Sequence, residues 1–163
     1  MEVEGTGRAV IFPDKYSDNS DASTGFALFK TYELWSAAVK KALLPIGITH
    51  PQFTVMTVVS FLSRQETVSQ SDVSAMSRID PMTVSAIVRN LEKRGLLVRH
   101  RNTRDTRAWD LSLTADGGAI LETAFPLVEV ENDRFFSALD DEDGFRRQLL
   151  LLVNCSPDPH QQQ

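Results

Sequence analysis

Two short capped helices joined by a brief turn constrain the fold of this chain more than any other feature of its sequence. Ser69 is followed three residues later by Asp72, the spacing of a capping box, which predicts the start of one helix. Asp80 and Pro81 predict the start of the next, because an Asp side chain accepts backbone N–H groups and Pro at the first helical position loses no hydrogen bond. Gly95 predicts its end. The pair indicates a helix-turn-helix.

The sequence after Gly95 predicts a β-hairpin. Residues 96–101 alternate enough for a strand, residues 102–106 are polar turn material, and residues 109–113 alternate strictly with period two. A hairpin directly after a helix-turn-helix is a wing. We therefore predict a winged helix-turn-helix over residues 64–113.

Apolar residues recur at helical spacing on both sides of this segment. They predict a first helix from about 26 to 44, a second capped by Thr49 with Gln52, and two more after Thr114. The apolar positions of the first are Leu28, Tyr32, Trp35, Val39 and Ala42. The next-to-last helix has Leu121, Phe125, Val128, Phe135 and Leu139 on one face, and the last is expected to bury Phe145, Leu149 and Leu152. A small winged-helix core cannot cover both sets, so we expect a homodimer.

The composition allows one domain. The chain has 163 residues, 42 % of them hydrophobic, which is enough for one compact core and too little for two. The predicted class is mainly α with a small β-hairpin, a winged helix-turn-helix with N- and C-terminal dimerisation helices. The predicted boundaries are an irregular arm over 1–24, a single domain over 25–155 and a flexible tail over 156–163. Within the domain, 25–63 and 114–155 are assigned to the dimerisation helices.

Charge is unevenly distributed along the chain. The net charge is −5, which by itself disfavours a nucleic-acid partner. Between Ser63 and Ala115, however, nine Lys or Arg face six Asp or Glu. A basic stretch on an acidic body concentrates the attraction for phosphates on that stretch. Double-stranded DNA is the partner we expect it to meet.

Other classes of function find little support in the sequence. The acidic start and the absence of a long apolar run predict a cytoplasmic protein without a membrane partner. Cys155 is the single cysteine, so neither a disulfide framework nor a Cys-rich zinc site is expected, and near a frayed end it is expected to be inert. His50 and His100 lack carboxylate or thiol companions in sequence, so neither a catalytic nor a metal role is expected. We expect no cofactor and no enzymatic activity.

The predicted fourth helix has two distinct faces. Projection at 100° per residue groups Val84, Ile87, Val88 and Leu91 on an apolar side. The opposite side carries Met82, Thr83, Ser85, Ala86, Arg89, Asn90 and Lys93. A recognition helix presents such small polar and basic residues to base edges and phosphates. An ordinary solvated helix face has the same pattern, so both interpretations stay open at this point.

The hairpin turn adds a second basic cluster. Arg101, Arg104 and Arg107 lie in or beside it, with Asp105 close enough to orient one of them. Arginines at a wing tip suit a narrow minor groove, whose negative potential attracts them. The alternative is a solvated basic loop. A winged helix that contacts protein or RNA rather than duplex DNA is a further alternative, but it predicts an apolar or acidic outward face on the fourth helix.

Four segments together resemble the signature of the MarR (multiple antibiotic resistance regulator) family. They are DPMTVS at 80–85, LEKRGL at 91–96, DTR at 105–107 and LSLTADG at 111–117. Their order and spacing match, and the resemblance covers roughly residues 26–153. It implies a ligand-responsive repressor: a homodimer with intertwined terminal helices that binds a pseudo-palindromic operator, with recognition helices in successive major grooves and wings in the minor grooves.

The resemblance also implies roles for individual residues. Thr83 and Ser85 become base or phosphate contacts, Arg107 the wing-tip residue and Asp105 its orienting partner. Many family members have a basic residue where this chain has Ala86, so base readout here is expected to depend on other residues of the helix. The full set of expected DNA contacts is Ser69, Gln70, Met82, Thr83, Ser85, Arg89, Asn90, Lys93, Arg101, Arg104, Asp105 and Arg107.

A binding site for a small aromatic effector is the last expectation that the resemblance carries. Family members often bind aromatic acids in a cleft between the dimerisation helices and the DNA-binding lobe. In this chain that cleft implies Phe29, Trp35, Phe53 and Met56. Core packing is the competing interpretation for each of the four, because aromatic residues at helical spacing usually fill space.

Overall fold

The computed structural model describes residues 23–64, 67–101 and 109–155. Within those ranges the chain forms six α-helices, one 3-10 turn and one two-stranded antiparallel sheet. In chain order these are α1 (Thr24–Leu43), the 3-10 turn (Leu44–Ile46), α2 (His50–Leu62), α3 (Gln70–Ser77), α4 (Pro81–Lys93), β1 (Leu97–Arg101), β2 (Trp109–Leu113), α5 (Ala115–Phe136) and α6 (Glu142–Cys155). The predicted class, mainly α with one hairpin, is confirmed.

The helix-turn-helix begins at the predicted caps. The Ser69 N–H donates to Asp72 Oδ2 at 2.8 Å, and the Asp72 N–H donates back to Ser69 Oγ at 3.2 Å. At the next helix, Asp80 Oδ1 accepts from the N–H groups of Met82 and Thr83 at 2.9 and 3.1 Å. These bonds satisfy N–H groups that have no partner inside the helix. The turn between α3 and α4 is therefore bounded by two local hydrogen-bond clusters.

The core lies where α2, α3, α4 and the hairpin meet. The three helices and the residue before α3 supply fully buried apolar side chains, Val55, Met56, Val59, Val68, Val73, Val84, Val88 and Leu91, and the same core includes Val39 and Leu43 of α1 and Ala124 of α5. The sheet joins them through Leu97 and Leu111, each 2 % exposed, and the Leu111 N–H donates to the Val68 carbonyl at 2.7 Å. This bond attaches the hairpin to the segment before α3. Helix-turn-helix and hairpin thus share one hydrophobic core.

The long helix α5 is joined to the end of α4 through Thr114. Its hydroxyl donates to the Gly95 carbonyl at 2.7 Å and accepts from the Gly117 N–H at 3.0 Å, so it caps α5 as predicted. Gly95 has φ 72°, a left-handed conformation that favours glycine. Further along, Trp35 of α1 donates from Nε1 to Asn132 Oδ1 of α5 at 2.8 Å, which ties these two helices together.

The apolar faces of α1 and α5 are only partly covered in the single chain. Leu28 and Tyr32 of α1 are about half exposed, although Val39 further along the same face is fully buried. Phe125 is partly exposed, and Leu139 lies beyond the last residue of α5. Helical periodicity identifies which face is apolar, but it does not identify what covers that face.

The expected burial of the apolar face of α6 is wrong for the single chain. Of the three residues expected to be buried there, Phe145 and Leu149 are half-buried and Leu152 is 60 % exposed. The Phe145 ring meets Phe136 of α5 with centroids 6.3 Å apart. A single copy of the chain thus leaves much of the apolar face of α6 in contact with solvent.

Within the described ranges no single helix combines the length and apolarity needed to cross a membrane. Thr24–Ile46 and His50–Leu62 reach those values only when taken together, and they are bent by 81° relative to each other.

Two adjacent glycines at the start of α5 allow a matched test of the fold. A Cβ on Gly117 would collide with the carbonyl oxygen of Leu96, whereas one on Gly118 would meet no heavy atom within 4 Å. We expect Gly117→Ala to lower the free energy of unfolding by about 1–3 kcal/mol, because backbone must move. Gly118→Ala should raise it by about 0.5–1 kcal/mol, since Ala favours the helix. Urea unfolding of both variants checks this, and equal effects would contradict the close approach.

Candidate nucleic-acid interface

The two faces of α4 are as the sequence predicts. Val84, Val88 and Leu91 are fully buried, and Ile87 packs against the core. The opposite face is exposed at Met82, Thr83, Ala86, Arg89, Asn90 and Lys93, and half-buried at Ser85. Met82 is 76 % exposed. The structure thus presents the expected DNA-contacting residues of α4 on one side of the molecule.

Two hydrogen bonds organise the middle of this exposed face. Arg89 donates from Nη1 to Ser85 Oγ at 2.9 Å, one helical turn earlier. Asn90 Oδ1 accepts from Nε2 of Gln52, in the first turn of α2, at 2.8 Å. Gln52 also belongs to the capping box of α2, where its Oε1 accepts from the Thr49 N–H at 2.9 Å. The start of α2 is therefore bonded directly to the exposed face of α4.

An open groove of about 510 Å³ runs between these two helices. It is lined by Thr49, Pro51 and Gln52 from α2 and by Met82, Thr83, Ala86, Ile87 and Asn90 from α4. Most of its α4 side consists of residues expected to contact DNA. The four residues expected to bind an effector are not among those that line it.

Arg94, the residue after α4, bonds this end of α4 to the segment before α2 and to α2 itself. Its guanidinium donates from Nη2 to the Gly47 carbonyl at 2.9 Å and from Nη1 to Gln52 Oε1 at 3.2 Å. Neither Arg94 nor this second role of Gln52 was identified from the sequence. Gln52 is 38 residues from Asn90, so its capping pattern was visible in sequence but its tertiary contact was not.

The base of the wing carries a cluster of one aromatic and two basic side chains. The guanidinium carbons of Arg99 and Arg101 lie 5.7 and 5.6 Å from the ring centroid of Trp109, within cation–π range. Arg99 also pairs with Glu92 of α4 at 2.7 Å. Arg101, one of the expected DNA contacts, is exposed. The expected wing-tip residues Arg104, Asp105 and Arg107 lie outside the described residues.

The residues expected to bind an effector do not form a single cluster. Phe29 is 57 % exposed on α1, whereas Met56 is fully buried in the core. Trp35 meets His50 edge to face with centroids 5.0 Å apart, and Phe53 meets Phe125 at 5.5 Å. Desolvation lowers the pKa of His50 below its ordinary value of 6.5, so the ring beside Trp35 is neutral at pH 7.

Ser69 and Gln70 lie side by side at the start of α3 and are half-buried. The Ser69 hydroxyl donates to Asp72 Oδ2 at 2.7 Å within the capping box. Its structural role is thus defined by the hydrogen bonds, whereas the role of both residues in DNA contact stays a prediction. Among the residues that the structure describes, no group of three or more His, Cys, Asp or Glu side chains could hold a metal ion.

A helix-turn-helix with a β-hairpin wing and an exposed, partly basic recognition helix defines a winged-helix DNA-binding regulator, and comparison with known proteins identifies the family. The sequence profile of the MarR family matches residues 48–109. The HTH-type transcriptional regulator YdcH of Bacillus subtilis is 36 % identical over 134 residues, covering 82 % of this chain and 91 % of YdcH. This chain belongs to the MarR family, whose members are transcriptional regulators and not enzymes.

Solved structures agree with this assignment. BpsR of Bordetella bronchiseptica, whose DNA binding is regulated by 6-hydroxynicotinic acid, is 26 % identical with a TM-score of 0.73, covering 83 % of this chain and 95 % of BpsR. CouR of Rhodococcus jostii, bound to p-coumaroyl-CoA, is 28 % identical with a TM-score of 0.70, covering 82 % of this chain and 92 % of CouR. The winged-helix fold predicted from the sequence is confirmed.

Neighbouring substitutions at the start of α3 separate capping from DNA contact. Ser69→Ala removes the capping hydroxyl and should lower the free energy of unfolding by about 1 kcal/mol. Gln70→Ala should leave it within about 0.5 kcal/mol of the parent value, since Gln70 does not cap the helix. Both variants should weaken DNA binding. Urea unfolding and DNA titration check this, and an equal loss of stability in both variants would contradict the assigned roles.

Proposed function

We propose that this chain represses transcription by binding a pseudo-palindromic operator as a homodimer, with α4 of each subunit in the major groove. The observation that carries this proposal is the exposed face of α4, where Arg89 and Lys93 follow the small polar residues of the first turns. Those basic side chains belong to residues 64–114, where nine Lys or Arg face six Asp or Glu in a chain of net charge −5. Such a function belongs in the cytoplasm, where the DNA is.

The exposed apolar surface supports a second copy of the chain as partner. Phe29 and Tyr32 of α1, Val130 of α5, and Leu151 and Leu152 of α6 are each more than half exposed. Large exposed apolar patches are rare on monomers in water and usually mark an interface. A twofold interface formed by residues 25–63 and 114–155 covers both terminal sets at once. It leaves α4 and the wing facing outward.

The proposed effector is a small aromatic acid or its derivative. BpsR and CouR, which are similar to this chain over most of its length, respond to or bind compounds of this kind. In this chain Trp35 and Phe53 lie at contacts among α1, α2 and α5, the helices assigned to the dimerisation segments. An effector there would act on the relative position of these helices.

Sequencing of the genomic DNA retained by the purified protein tests the proposal directly. We expect enrichment of fragments that share a site with two half-sites about one helical turn, 10 bp, apart. Addition of an aromatic acid should release them. Retention of no specific fragment, together with binding to another protein, would favour the interaction module instead.

The dimer has a simple measurable consequence. Sedimentation at micromolar concentration should give a mass near twice 18.2 kDa, because the apolar faces of α1 and α6 are covered only in the dimer. Leu152→Glu should shift the protein toward monomer, since a charge cannot be buried there without a partner. Glu142→Lys, at the exposed start of α6, is the control for the charge change. A parent protein that sediments as a monomer would overturn the homodimer.

Arg89 and Arg107 should have distinguishable roles in DNA binding. The Arg89 guanidinium can contact a guanine edge or a phosphate; if the contact is to a base, Arg89→Ala should cost about 1–3 kcal/mol per half-site and relax the preference at one major-groove position. Arg107→Ala should leave the half-site preference unchanged and lose discrimination between A·T-rich and G·C-rich flanks, with Asp105→Ala as a weaker copy. Titration of operators with exchanged cores or flanks checks this. Unchanged binding of every duplex by Arg107→Ala would exclude the wing from recognition.

A further inference from the structure

The side-chain amide of Gln52 can have only one orientation in its surroundings. Its Oε1 accepts from two groups that carry no acceptor, the Thr49 backbone N–H at 2.9 Å and the Arg94 guanidinium at 3.2 Å. Arg94 is itself held by its bond to the Gly47 carbonyl. If the amide were reversed, an N–H group would face two donors. Nε2 is therefore the atom that Gln52 turns toward α4.

The orientation of Gln52 in turn determines the orientation of Asn90. Because Nε2 is a donor, the atom of Asn90 that faces it at 2.8 Å is Oδ1. Nδ2, with its two N–H groups, is then the part of the amide turned away from Gln52. Asn90 is exposed on the DNA-facing side of α4 and lines the groove between α2 and α4. The side chain thus offers donors to a ligand on that face.

We propose that Asn90 contacts DNA as a hydrogen-bond donor through Nδ2, and that Gln52 is the positioning residue that sets this polarity. The complementary group on DNA is an acceptor, either at a base edge (guanine N7 or O6, adenine N7, thymine O4) or on a phosphate oxygen. The usual pairing of Asn with adenine uses the side-chain oxygen as acceptor together with the amide donor. In this chain that oxygen already accepts from Gln52 Nε2. The inference rests on the DNA-binding function proposed above and specifies what one residue of that interface reads.

Gln52→Glu tests the polarity with little change to the fold. The introduced carboxylate still accepts from the Thr49 N–H and from Arg94, and Glu is a usual partner in a capping box. It cannot donate to Asn90, so the Asn90 amide must rotate, donate from Nδ2 to the carboxylate and turn Oδ1 toward the DNA. Asn90 Oδ1, an acceptor, then faces the acceptor group on the DNA. Thermal unfolding of the variant verifies that α2 is intact.

A double-mutant cycle separates this effect from simple charge repulsion. The parent protein, Gln52→Glu, Asn90→Ala and the double variant are titrated with one operator duplex taken from the retained genomic fragments. Repulsion between the carboxylate and phosphates occurs with or without Asn90, so it cancels in the cycle. We expect Gln52→Glu to weaken binding about 3- to 10-fold more per subunit when Asn90 is present, the range expected for one hydrogen bond. Equal weakening in both backgrounds would overturn the proposal.

Exchange of each base pair of the half-site distinguishes the two kinds of acceptor. If the acceptor is on a base, Asn90→Ala loses the preference at one position only. If it is a phosphate oxygen, Asn90→Ala weakens binding to all duplexes equally. Both results support a donor role.

A contact in which Asn90 Oδ1 accepts from the 6-amino group of an adenine gives a different result and would overturn the inference. Replacement of that adenine by purine, which lacks the 6-amino group, would then weaken binding of the parent but not of Asn90→Ala. A parent protein that retains no DNA would overturn the proposed function itself. A parent that binds DNA without coupling between Gln52 and Asn90 overturns only this inference.

Discussion

Burial of one side of α4 determines what the rest of the molecule can present to DNA. Val84, Val88 and Leu91 are fully buried, and each such side chain contributes about 1.5–3 kcal/mol. Rotation of the helix by one residue, about 100°, would expose these side chains and bury polar ones such as Arg89. The cost exceeds what a single surface contact can offset. The orientation of the DNA-facing residues is therefore set by the core before any DNA is bound.

Local features of the structure could be predicted from the sequence, and the caps of α3 and α4 are the best examples. The bonds of Ser69 with Asp72, and of Asp80 with the N–H groups that follow it, join residues two or three apart, so short spacings reveal them. The contact between Gln52 and Asn90 spans 38 residues and depends on how α2 packs against α4. Nothing in the spacing of these residues indicates it. Helical periodicity likewise placed Leu152 on the apolar face of α6, but it did not identify what covers that face.

At the base of the wing, two basic side chains lie against one aromatic ring in a protein of net charge −5. Arg99 and Arg101 lie two residues apart on β1, so they project from the same side of the hairpin, and both approach Trp109. Each contact contributes about 0.5–1 kcal/mol at an exposed site. The ion pair of Arg99 with Glu92 links the same cluster to α4. Arg99 therefore links the hairpin to α4, since it contacts Trp109 of β2 and pairs with Glu92 of α4.

The junction at Gly117 gives α5 a mechanical property. Its first turn is pressed against the Leu96 backbone and bonded through Thr114 to Gly95, so this end of the helix cannot move without the hairpin. From this junction to Phe136, α5 extends about 29 Å. A tilt of only 5° at the junction displaces the far end of the helix by about 2.5 Å. Because α5 is bonded to the hairpin at this end, displacement of the terminal helices is coupled to the pitch of the wing.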